Sequence, residues 1–177
     1  MIPAINIKKG VITVLMFFVL SCSKKTPPNV PDEPYITVNT VEDFGGQKLF
    51  DVKNVSTTIG TTGSSSVKPI QLFATVTEGT TVRTVFINLL VPTNANTSSG
   101  NITINLASQS GSLQAHLTLS THTVGFGGPS YDSESGTLVI TELTTSKIKG
   151  TFSGRVVNAG NPSLSLSISS GSFEGRF

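Results

Sequence analysis

The chain has 177 residues, with 12 Lys and Arg against 10 Asp and Glu, a single cysteine, no tryptophan and two tyrosines. This length suits one domain of ordinary size, and one thiol rules out an intramolecular disulfide. The near-balanced charge rules out the basic stripe on which nucleic-acid binding depends, the more so because Lys8 and Lys9 both precede residue 22 and acids match bases beyond it.

The chain opens with a basic pair, Lys8 and Lys9, an apolar run over residues 11–20, and a small residue, Ser21, before Cys22. That order is the pattern of a secretory signal, and the run is too short to cross a hydrocarbon core that takes about 20 residues. A cysteine at this place resembles the lipobox of bacterial lipoproteins. The resemblance implies acylation of Cys22, removal of residues 1–21, and attachment to a membrane through N-terminal lipid without a transmembrane helix. Ser23 in place of Asp resembles the signal that sends a lipoprotein to the outer membrane. Lys24 and Lys25 stand where some bacteria place the acidic pair that exports a lipoprotein to the surface. The expected location is therefore the outer membrane, on its periplasmic face rather than the cell surface. Residues 22–34 read as a tether, because Pro27, Pro28, Pro31 and Pro34 favour an extended backbone of about 3.1 Å per residue.

From residue 35 onward the apolar clusters are short, rich in Val, Ile, Thr and Phe, and bounded by Gly, Asn, Ser or Pro. Strands are expected over 36–40, 48–55, 70–77, 81–91, 101–108, 112–121, 136–143, 147–157, 163–169 and 172–177, with nothing at helical spacing. The class is all-β: a single antiparallel β-sandwich or barrel-like domain over 35–177. Alternation sends Ile102, Ile104, Leu106, Leu113, Ala115, Leu117, Leu119, Leu164, Leu166 and Ile168 inward, while 82–91 is apolar on both parities and reads as a strand covered on both faces. In 136–152 two strands flank the turn Thr144-Thr145-Ser146. Leu138, Ile140, Ile148 and Phe152 share its core face, and Gly150 and Gly154 leave room there for bulky neighbours. Around Ser169-Ser170-Gly171 the apolar parity changes, the mark of a bulge or tight turn. Long joins fall at 60–66 and 94–100.

The segments GTLVITELTTSKIKGTF (136–152) and LSLSISSGSFEGRF (164–177) carry G-T-x-x-I-T, I-x-G-T-F and a final G-x-F. Over residues 134–177 the chain resembles the end of an uncharacterised family of Gram-negative envelope lipoproteins. The resemblance implies a β-rich, lipid-anchored domain of unknown function and supplies no catalytic residues.

Candidate chemistry is sparse. His116 and His122 share the wet parity of one expected strand with Thr118 and Ser120, and at about 3.3 Å per residue they stand about 20 Å apart, too far for one metal ion. No G-x-S-x-G elbow exists, since Gly150-Thr151-Phe152-Ser153-Gly154 has its serine one place late. The most function-like stretch is the expected loop 125–134, which joins glycines to Tyr131, Asp132 and Glu134. No helix follows it to cradle phosphate. Asp132 and Glu134 offer a weak calcium site, but calcium takes more ligands than two acids supply, so a solvated β connection is the better reading. Glycan or peptide binding is disfavoured by the lack of Trp and by a Tyr count limited to Tyr35 and Tyr131. A terminal Phe177 resembles the assembly signal of outer-membrane barrels. Such barrels need strands of about 9 to 11 residues, and most of the expected strands are shorter.

The reading is a non-catalytic binding or structural module of the envelope, without catalytic residue, metal or cofactor. Its partner is an envelope protein or a small ligand, met by His116, His122, Tyr131, Asp132 and Glu134. A hydrolase with an unrecognised site is the alternative, and an outer-membrane β-barrel comes third.

Overall fold

The computed structural model describes residues 33–53, 55–60, 66–106 and 111–177. The expected signal segment, Cys22 and the expected tether as far as Asp32 lie outside the described residues, as do Asn54, the centre of the expected join 60–66 and the end of the expected strand 101–108. Among the described residues the strands are β1 (Tyr35–Phe44), β2 (Gln47–Lys53), β3 (Ser56–Ile59), β4 (Val67–Glu78), β5 (Thr81–Pro92), β6 (Ile102–Asn105), β7 (Gln114–Thr123), β8 (Ser130–Leu143), β9 (Lys147–Asn158) and β10 (Ser165–Arg176). Every pairing is antiparallel, and one continuous sheet runs β2-β1-β10-β9-β8-β7-β5-β4-β3, with β6 alongside β8. The sheet curls on itself without closing, a half-barrel with β2 and β3 as its edges. Gly175 of β10 shows how far it curls: a methyl group placed there would meet Thr57 of β3 at 2.6 Å and Leu72 of β4 at 2.9 Å.

The concave side is the core. Ile70, Leu72 and Ala74 of β4, Val85, Ile87 and Leu89 of β5, and Leu117 and Leu119 of β7 point into it and are buried. The hairpin β8–β9 adds Leu138, Ile140, Ile148 and Phe152, the shared face that alternation predicts. Between β9 and β10 the packing is reciprocal. Phe152 sits opposite Gly171 and Phe173 opposite Gly150, and each ring lies over the glycine of the facing strand, with ring centroids 6.3 Å apart. The expectation of space beside Gly150 is met, with the Phe173 ring filling it.

At the open seam one charged side chain enters the core. Arg83 of β5 is 2% exposed and reaches across to β2, where Nη1 donates to the Leu49 carbonyl at 2.9 Å and Nη2 to Gln47 Oε1 at 3.1 Å. Glu78 balances its charge at 3.0 Å, and Gln47 Nε2 donates to Glu78 at 2.7 Å. Edge strand β2 has no ladder partner on that side among the described residues. A guanidinium, with five N–H donors in a planar fork, substitutes for the missing neighbour there.

Several expectations change. Residues 163–169 and 172–177 are one strand: the parity change is a bulge, across which the β9–β10 register shifts between Ile168 and Gly171. Leu164 lies before that strand and is 52% exposed. β3 was not anticipated, because STTI is short and offers little alternation of polarity. β5 is covered on one face only: Val82, Phe86 and Leu90 are half-buried while the opposite parity is sealed. Seven of the ten strands have ten residues or more, so the argument from short strands against a membrane barrel does not hold. The expected loop 125–134 ends early, since β8 begins at Ser130.

Candidate functional site

The site is built where β8 changes partner. Its first part, Ser130–Asp132, pairs with Thr118–Ser120 of β7, and its later part, Thr137–Ile140, pairs with β6. Two strands cannot occupy the same edge of a third, so the sheet forks between them. Ser133 sits in the fork. Its Oγ accepts the Leu117 N–H at 3.2 Å and donates to the Leu106 carbonyl at 3.0 Å, replacing with one hydroxyl the ladder bonds that the fork interrupts.

On the outer face beside it lies His116. Nε2 is 3.2 Å from Asp132 Oδ1, and Nδ1 is 3.3 Å from Ser133 Oγ. Thr118 Oγ1 donates to the same Asp132 oxygen at 2.9 Å. The His116 and Asp132 side chains are 35% and 42% exposed, so the carboxylate is steered by neighbours while remaining in contact with water. In the neutral tautomer with Nε2–H donating to Asp132, Nδ1 is an acceptor and the single Ser133 proton has two claimants. The nearer is the Leu106 carbonyl. The imidazole is thereby held between a carboxylate and a hydroxyl as in a serine hydrolase, but with its nitrogens exchanged, Nε2 facing the carboxylate and Nδ1 the hydroxyl, and that hydroxyl is bonded to main chain on both its donor and acceptor sides.

The other candidates from the sequence are not gathered here. His122 remains on the outer parity of β7, opposite Val82, and lines a shallow polar groove of about 240 Å³ with Thr81, Thr123 and Gly127. Tyr131 lies opposite Leu119 and packs against the core. Glu134 is bound to Arg155. Among the described residues no group of three or more His, Cys, Asp or Glu stands close enough to hold a metal ion. Sequence reasoning missed Ser133, whose only signal was its place in a segment read as loop.

Two further features belong to the outer face. Phe73 of β4 is 47% exposed and stands opposite the half-buried Phe86 of β5, which in turn faces Thr118. An exposed aromatic is therefore present despite the absence of Trp, and its half exposure is set by strand pairing rather than by the sequence of one strand. Elsewhere Glu174 is 1% exposed beneath Lys147 at 3.4 Å, Lys149 at 3.7 Å and Arg176 at 3.7 Å. Burial acts to lower the Lys147 pKa, but its bonds to Glu142 and the charge of Glu174 outweigh that and leave it raised.

No protein-family model, no curated protein and no solved structure matches this chain.

Proposed function

We propose that this is a lipid-anchored protein of the Gram-negative envelope whose β domain binds a ligand or partner and performs no chemistry on it. The anchor reading is supported by Cys22 behind its short apolar run, and the compartment by the C-terminal strand pattern that resembles envelope lipoproteins. Ser23, Lys24 and Lys25 favour the outer membrane and its periplasmic face. The observation that carries the non-catalytic reading is Ser133: its Oγ is spent on Leu117 and Leu106, so attack on a substrate would first break the fork of the sheet. A membrane-embedded barrel is opposed by polarity, since this sheet is apolar within and hydroxyl- and amide-rich outside, the inverse of a spanning barrel.

A hydrolase is the second reading, favoured by the Asp132–His116–Ser133 alignment; covalent labelling of Ser133 by a fluorophosphonate would favour it further. The experiment for the first is labelled palmitate given to cells making the full chain or its Cys22→Ala variant. Label in the membrane-bound wild type and none in the variant is expected. Undiminished label in the variant refutes the anchor.

A further inference from the structure

The charged side chains of the sheet are divided unequally between its two halves. On the outer parity of β3, β4, β5 and β7 there is no Asp, Glu, Lys or Arg; Lys68, Glu78 and Arg83 on these strands all take the inner parity. The other half is laced with ions, as in the row where Lys53 covers the Tyr35 ring at 5.2 Å, Tyr35 faces Glu174, and Glu174 meets Lys149. Charge normally keeps a sheet face soluble and free of partners, so four adjacent strands without any mark a surface built to be covered.

What does fill the uncharged half is ordered in rows by the strand register. Gln71, Asn88 and His116 stand side by side, an amide row in which the buried Asn88 Oδ1 has no donor among the described residues. Next comes the aromatic pair Phe73 and Phe86, and then Thr75 and Thr84, whose hydroxyls meet at 3.2 Å. Rows repeat along the strands at about 6.6 Å, two residues of rise, and neighbours across them lie about 4.8 Å apart.

We propose that this face of β4, β5 and β7 binds a neutral polysaccharide, an inference that rests on reading the domain as a binding module. A glycan chain is uncharged, and these strands put no Asp, Glu, Lys or Arg on the face, which the Asp132 carboxylate of β8 borders at His116 and Thr118. The glycan offers hydroxyls that both donate and accept, matching amides and threonines that do the same, and C–H faces that stack on phenyl rings. An anionic polymer finds no Lys or Arg here and meets the Asp132 carboxylate at its border. A protein partner would call for an exposed apolar centre, whereas Val82, Phe86 and Leu90 on this face are half-buried and Phe73 alone of its large apolar side chains stands exposed.

The test uses the full-length protein in detergent, incubated with chitin, cellulose, an insoluble β-glucan and a mannan, with alginate as the anionic control. Retention on at least one neutral polymer is expected and none on alginate. Phe73→Ala should weaken that retention about tenfold while leaving the melting temperature within a few degrees, because the ring stacks on its ligand but is only half-packed in the fold. Thr151→Ala, exposed on β9, should change nothing. Absence of retention on every neutral polymer overturns the proposal, as does retention that Phe73→Ala leaves intact, or a concentration-dependent dimer that Phe73→Ala abolishes. None of these touches the anchor, which palmitate labelling of Cys22 reads independently.

Discussion

Gly171→Ala isolates the ring-over-glycine packing between β9 and β10. Gly171 is not among the positive-φ glycines, so its backbone accepts an L-residue, and on chain entropy alone Ala would stabilise by about 0.4 to 1 kcal/mol. The tertiary structure reverses that sign. The added methyl would lie 2.3 Å from Cε2 and Cζ of Phe152 and 2.7 Å from Cδ2, where ordinary carbon contacts are about 3.5 to 4 Å. The ring must retreat by roughly an ångström, yet Phe152 is 4% exposed and backed by Phe173. Overpacking of this kind costs about 1 to 3 kcal/mol, so the net effect is a loss of about 1 to 2 kcal/mol and a fall of several degrees in melting temperature.

Urea unfolding followed by circular dichroism reads this directly. The same substitution in a Phe152→Leu background should cost less, with a coupling of at least about 0.5 kcal/mol, because the shorter side chain leaves the methyl its space. Gly127→Ala serves as control, since nothing stands within 4 Å and its φ is ordinary, and it should be neutral or slightly stabilising. A Gly171→Ala protein as stable as the wild type, or a double variant whose losses simply add, would refute the packing argument.

Two other outcomes follow from burial and charge. Phe152→Ala should destabilise by about 3 to 5 kcal/mol and Phe73→Ala by about 1 kcal/mol, since one ring is sealed and the other half in water; equal melting temperatures would show the inner and outer parities to be misassigned. Glu42 has a lowered pKa, chiefly because its carboxylate accepts the Ser167 backbone N–H, with the Ser167 hydroxyl adding a bond at 3.1 Å. A depressed carboxyl pKa stabilises the fold above the ordinary carboxylate value, and that contribution is lost as pH falls through the depressed one. The stability difference between wild type and Glu42→Gln should therefore be greatest near neutrality and fade in acid; a difference independent of pH would rule out the linkage.

The all-β class, the inward faces of Ile148 and Phe152, and the irregularity near Ser169 were legible because each depends only on neighbours two residues away. Side chains alternate with a period of two, and any break in that parity must appear as a bulge or a turn. The lipid-anchor proposal for Cys22 also rests on residue order alone. Which strands become neighbours is a different kind of fact. Ser133 looked like loop because its bonds go to Leu106 and Leu117, distant in sequence, and the fork that needs them exists only once β6 and β7 compete for β8. β3 is too short and polar to announce itself and forms because β4 offers it an edge. The Phe73–Phe86 pair and the charge-free face around it arise from register between strands, and Arg83 becomes a seam clasp only because the sheet curls until β2 meets β5. Alternation along one strand records which way each side chain points; only the folded sheet, through pairings remote in sequence, decides what it points at.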